Sequence, residues 1–149
     1  SVFVDGFRAA ETLREENPEA FDLLARYKAD FRFKDATTDL KNRTALIGVD
    51  DRGHLTHIRY NNRSAAPLQL PASIMQNYYE ALLIFSNMLH RPELEVTFKL
   101  QSGELVLFDN ERILHGRKGF AGKGERHLQG SYADKDSLNS YIDVQDRAN

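Results

Sequence analysis

Apolar and polar positions alternate through "SVFVDGF" and then give way to a stretch in which Ala9, Ala10, Leu13, Phe21 and Leu24 recur at helical spacing. A strand followed by a helix is predicted. Asn17-Pro18 interrupts that helix, because the residue before a proline avoids helical backbone, so a second short helix is expected to start at Pro18. Alternating aromatics in "KADFRFK" predict a strand, and the polar, periodless "DATTDLKNR" an exposed loop. In "TALIGVDDRGHLTHIRYNN" two β-rich runs flank Asp50-Asp51-Arg52-Gly53, a hairpin whose Gly53 supplies the positive φ of the turn.

Ile74, Tyr78, Ala81, Leu82, Phe85 and Leu89 then follow helical spacing, with Pro71 at the entry and Pro92 beyond the exit. Past this helix, "LEVTFKL", "LVLFDN", "RILHGR" and "RHLQGSY" read as strands joined by tight turns, with Ser102-Gly103 the sharpest. The glycine-rich "GRKGFAGKGE" lies between the last two. A final short helix is expected in "ADKDSLNSYIDVQDR", capped by Asp134 or Asp136. These elements predict a mainly β chain with helical insertions (α+β), a sandwich or jelly-roll half rather than a βαβ sheet.

Composition narrows the function classes. At 149 residues and 41% hydrophobic, the chain is expected to form one domain, 1–149, with a core of its own. A net charge of -2 provides no basic field for a phosphate backbone, so nucleic acid is not an expected partner. Without cysteine there is no disulfide, thiolate metal site or thiol nucleophile, which fits a reducing, cytoplasmic setting. The apolar window "YYEALLIFSNML" falls short of the about 20 residues a bilayer requires and carries Glu80, so no membrane partner is expected. The N-terminus has no signal-peptide pattern and reads as a strand entered in mid-course, as in a piece of a longer chain.

Five histidines are present, and none begins a His-x-Asp or His-x-Glu pair of the kind that supplies two ligands of a non-haem iron site. His54 and His57 fall on opposite faces of a hairpin strand, and His90 sits where it complements a helix C-terminus. His115 differs, since an apolar run carries it to a strand end before a glycine-rich loop; it is either a functional group or a hydrogen-bonded structural histidine. If "RHLQGSY" is a strand, Arg126, Leu128, Gly130 and Tyr132 share a face. That face is either a carboxylate pocket built on the guanidinium fork or an edge strand with its arginine in water. Tyr78 and Tyr79 read as core and rim, and the Arg112 to Arg126 basic cluster, interleaved with acids, as a solvated loop.

The blocks "SVFVDGFRAAETLREENPEAFDLL", "IRYNNRS", "YYEALLIFSNML", "FKLQSGELVLFDNERILHGR" and "RHLQGSYAD", in this order, resemble the C-terminal half of the γ-butyrobetaine and trimethyllysine dioxygenases. These are Fe(II)- and 2-oxoglutarate-dependent oxygenases of the taurine-dioxygenase-like superfamily. The resemblance implies the C-terminal part of a double-stranded β-helix. It places the distal iron-binding histidine at His115 and the clamp for the far carboxylate of 2-oxoglutarate at Arg126. Tyr132 takes the place of a residue against the substrate's trimethylammonium group, and Asn61 or Asn62 that of one near its carboxylate. O2, 2-oxoglutarate and a small quaternary ammonium molecule, most simply γ-butyrobetaine on its way to L-carnitine, are the implied reactants, and a homodimer the implied assembly.

The family's His-x-Asp pair lies upstream of the matching blocks, so this chain alone is expected to bind Fe(II) poorly and turn over little. Two further readings stand beside the oxygenase: a non-catalytic binding or assembly module on the same fold, and a related oxygenase for another small amine or acid.

Overall fold

A computed structural model describes residues 2–116 and 127–148. It divides into two compact units, Ser1–Lys118 and Gly119–Asn149. In the first, β1 (Val2–Asp5) leads into α1 (Gly6–Glu16) and α2 (Pro18–Arg26), followed by β2 (Lys28–Lys34), β3 (Asp39–Ala45), β4 (Ile47–Val49) and β5 (Leu55–Ile58). α3 (Ala72–Met88) precedes β6 (Glu95–Thr97) and β7 (Ile113–Gly116); the second unit carries α4 (Lys135–Ala148).

The helix boundaries follow from local chemistry. Asp5 caps α1 by accepting from the Phe7 and Arg8 amides, and Asn17 both ends α1 and caps α2 by accepting from Ala20 N, with Pro18 in the first turn. The predicted break at Asn17-Pro18 is therefore a shared cap. In the second unit, Asp134 is the residue that accepts at the start of α4, from Asp136 N and Ser137 Oγ.

The core of the first unit lies where three helices meet the strands. Leu13 of α1, Leu24 of α2 and Tyr78, Phe85 and Met88 of α3 close over Val4, Ile47 and Ile58. Each large apolar side chain removed from water there contributes about 1.5–3 kcal/mol before entropy is charged against it.

The sheets are small: β6-β1-β7, β2-β3 and β4-β5, all antiparallel. The β4-β5 hairpin turns where expected, with Gly53 at φ 84° and the Asp50 carboxylate accepting from the Arg52 and His54 amides. Three expectations need correction. Asp39–Ala45, read as part of a loop, is strand β3, paired with β2 along its full length and tied by Arg32 Nη2 to Asp39 Oδ2 at 2.7 Å. Most of β3 faces water, so its sequence carries no apolar alternation. Next, "LVLFDN" and His127–Tyr132 are not strands, and "LEVTFKL" is one only over Glu95–Thr97. Leu105 and Leu107 are 86% and 79% exposed, and a strand without a neighbour to bond and a face to bury does not form. Finally, helices hold more of the described residues than strands do, so the fold is mixed helix and sheet rather than mainly β.

Candidate functional site

β7 is built to present one side chain away from the core. Leu114 packs on the core cluster, and alternation turns His115 to the opposite face of the sheet, where it is exposed. His115 lies opposite Phe3 in register, and Phe3 lies opposite Val96 on the other side, so the three form one row. Phe98 stacks on Phe3 with ring centroids 5.1 Å apart and planes 7° from parallel. Phe108 meets Phe3 edge-on at 5.3 Å and stands 5.1 Å from the His115 ring at 57°. Of these rings, Phe108 is the one in contact with the imidazole.

The approach to β7 is held on both sides. Asp109 caps its own turn by accepting from Glu111 N, and its carbonyl accepts from Arg112 N and Ile113 N. Glu111 O accepts from Ile58 N, which ties the turn to the end of β5. Arg112 grips the Asp5 carboxylate, and this hydrogen bond, the largest influence, holds the Asp5 pKa below the ordinary carboxylate value against the opposing effect of burial.

The other expected site residues are placed as follows. Asn61 and Asn62 are exposed, directly after Tyr60, and the Asn61 amide is oriented by its Oδ1 accepting from Arg63 N at 2.9 Å. No described residue accepts from the Asn61 Nδ2 group. Tyr132 belongs to the second unit and is 89% exposed in a stretch without regular structure, so the face shared with Arg126 in a strand is not formed at Tyr132. Arg126 lies outside the described residues.

Three of the other four histidines are local fixtures. His57 Nε2 lies 3.2 Å from Thr44 Oγ1, His54 Nδ1 3.3 Å from Asp50 Oδ2, and His90 Nδ1 2.8 Å from Ser86 O in the last turn of α3. Tyr78 is core and Tyr79 rim, as their positions on the helix indicate. Among the described residues no group of three or more His, Cys, Asp and Glu side chains is placed to hold a metal ion. His115 fits one ligand position and these residues do not complete a centre. Sequence reasoning missed Phe3 and Phe108 as neighbours of His115; the alternation of β1 carries the first, and no sequence signal carries the second.

Comparisons with known proteins give this chain a family. Residues 1–132 match the taurine catabolism dioxygenase TauD, TfdA family, and the chain belongs to that family. It is 42% identical over 148 residues to a γ-butyrobetaine dioxygenase of Pseudomonas sp. (strain AK-1), covering 99% of this chain and 39% of the relative. Against human γ-butyrobetaine dioxygenase the identity is 34% over 152 residues, 97% of this chain and 39% of the relative. Chicken mitochondrial trimethyllysine dioxygenase is 33% identical over 146 residues, 93% of this chain and 34% of the relative. The chain thus spans well under half the length of these relatives, and the resemblance seen in the sequence blocks is borne out. No described helix is long and apolar enough to cross a membrane.

Proposed function

We propose that this chain is the C-terminal part of the jelly-roll domain of an Fe(II)- and 2-oxoglutarate-dependent dioxygenase that hydroxylates a small trimethylammonium substrate, γ-butyrobetaine to L-carnitine. The observation that carries this reading is the 42% identity along 99% of the chain to a γ-butyrobetaine dioxygenase. The position of His115 on an outward sheet face supports it.

Iron with 2-oxoglutarate supplies oxygen-dependent hydroxylation of a C–H bond; the residues of this chain bind and orient. His115 holds one metal position. Arg126 pairs with the far carboxylate of 2-oxoglutarate, to which a guanidinium fork is matched. Tyr132 offers an aromatic face to a quaternary ammonium group, which cannot donate a hydrogen bond and gains about 0.5–2 kcal/mol per such contact. Of Asn61 and Asn62, Asn61 is the better donor to the substrate carboxylate, since its turn already fixes the amide. The exposed apolar row around His115 is the inner face of the jelly roll, facing a second sheet from the rest of a longer chain. The intact protein is read as a cytoplasmic homodimer.

A second reading, a binding module without turnover, is kept for the 149-residue chain taken alone, because no group of three or more possible metal ligands comes together among its described residues. Anaerobic titration with Fe(II) and 2-oxoglutarate separates the two, with the visible charge-transfer band of the chelate as readout. A longer chain carrying this sequence is expected to give the band, to lose it with His115→Ala and to weaken it with Arg126→Ala. No band in that folded longer chain would overturn the oxygenase reading and leave the module.

A further inference from the structure

The β2-β3 ribbon has one edge in use and one free. Along β2 the Arg32 amide donates to Ser64 O, and Asp30 O accepts from Ala66 N, so both residues turn their backbone groups away from β3. In register Asp30 faces Arg43 and Arg32 faces Lys41, so Arg43, Lys41 and, by alternation, Asp39 turn theirs outward from the far side of the ribbon. No backbone group of these three has a hydrogen-bond partner among the described residues. Asp39 to Arg43 are all exposed, and β3 carries no proline and pairs with β2 without a register shift. Such an edge is a template for another strand. The apolar face beside it is also unfinished. Ala29 and Phe31 are buried, but Phe33, next along the same face, is 54% exposed and Leu40, directly opposite it, 64%.

We propose that β3 pairs antiparallel with β3 of a second copy of this chain, about a two-fold axis at Leu40, to make a four-stranded sheet. Charge complementarity selects both the partner and the register. An axis at Asp39 would set Asp39 against itself, one at Lys41 would set Lys41 against itself, and one at Asn42 would set Lys41 against Arg43. Of these centres and Leu40, only Leu40 avoids like charges. There Asp39 of each copy faces Lys41 of the other, and each such pair exchanges both of its backbone bonds. Arg43 lies diagonal to Asp39 of the second copy, which Arg32 of its own ribbon holds at 2.7 Å. On the other face Phe33 and Leu40 of one copy meet Leu40 and Phe33 of the next in a single apolar row. Lysine on an edge strand ordinarily guards against pairing; here Lys41 is satisfied in one register and penalises its neighbours. The contact is small beside the about 1,200 Å² of a stable interface, so the dimer forms in a concentration-dependent way. The proposal stands on strand pattern and charge, and neither iron nor 2-oxoglutarate enters its test.

The chain has no cysteine, so Leu40→Cys introduces a single thiol at the axis. Opposed Cα atoms in a pair of this kind stand about 4.5 Å apart, within disulfide range. Mild oxidation of Leu40→Cys should give a covalent dimer on a non-reducing gel, while Lys34→Cys, on the other strand of the ribbon, should link far more slowly. Sedimentation equilibrium of the parent chain should show monomer and dimer in exchange. Lys41→Asp and Asp39→Lys, each with unchanged circular dichroism, should weaken the dimer by about tenfold or more by facing like charges, and the two exchanges together should restore it. A parent that stays monomeric up to about 1 mM would overturn the proposal and leave the edge to a strand from elsewhere in a longer chain. Leu40→Cys linking no faster than Lys34→Cys, or a dimer indifferent to the charge exchanges, would overturn it as well.

Discussion

Arg112 places Nη2 2.6 Å from Asp5 Oδ2 while its own carbonyl accepts the Gly6 amide at 2.9 Å. One residue thus clamps the junction of β1 and α1 through both side chain and backbone, although 107 positions separate Asp5 from Arg112. Since β7 begins at Ile113, the clamp fixes where the strand carrying His115 enters the sheet. Asp5 meanwhile caps α1, so the same carboxylate sets the start of the first helix and the register of the candidate site.

Replacing Asp5 by alanine removes the cap and the clamp together. A loss of at least about 1 kcal/mol is expected from the cap alone, read by urea denaturation. The pH dependence has a definite sign. Because the folded pKa of Asp5 lies below its unfolded value, its contribution is complete above the unfolded value near about 4 and is lost as the pH falls through the folded value. Thermal denaturation between neutral pH and pH about 2 should therefore show a smaller acid-induced decrease in Asp5→Asn than in the parent.

Gly6 sits where a side chain has no room. A Cβ there would lie 2.7 Å from Arg112 O and 3.0 Å from Ile58 Cγ1, and the first of these is backbone that cannot swing aside. Gly6→Ala, ordinarily favourable inside a helix, should here destabilise by about 1–3 kcal/mol. A stability equal to or above the parent's in chemical denaturation would contradict the close approach.

Phe108 is the ring in contact with the His115 imidazole. Phe108→Ala should free that ring to sample other rotamers, collapsing its ring-current shift and broadening the His115 side-chain resonances, while Phe108→Tyr keeps both. Global stability should change little beside the loss expected for Phe85→Ala, a fully buried core position where about 3–5 kcal/mol is at stake. Proton NMR at a pH where the imidazole is neutral reads the first effect, and denaturation the second.

Tyr78→Phe deletes a buried hydroxyl that has no partner among the described residues. The variant should be as stable as the parent or more stable by up to about 1–3 kcal/mol, because an unsatisfied polar atom leaves the interior. A clear loss of stability would mean that the hydroxyl bonds to an ordered water or other group.

Much of the first unit was legible in the chain. Asparagine and proline at positions 17 and 18 act on their own backbone, so the boundary between α1 and α2 could be read directly, as could the α3 span from its 3.6-residue period and the β4-β5 turn from Gly53. His115 was singled out by its strand-end position, and β7 does carry it there. These features are decided within a few residues of where they occur, which is why local sequence determined them.

Strand pairing was decided elsewhere. A strand becomes one only when a distant segment supplies hydrogen bonds and a surface to cover: β1 lies between β6 and β7, β3 is a strand because β2 lies beside it, and the apolar "LVLFDN" is none. The company His115 keeps, from Phe108 to Phe3 and Phe98, likewise depends on contacts between residues far apart in the chain. Periodicity reports which face a side chain takes, whereas only the packed tertiary structure determines what stands opposite that face.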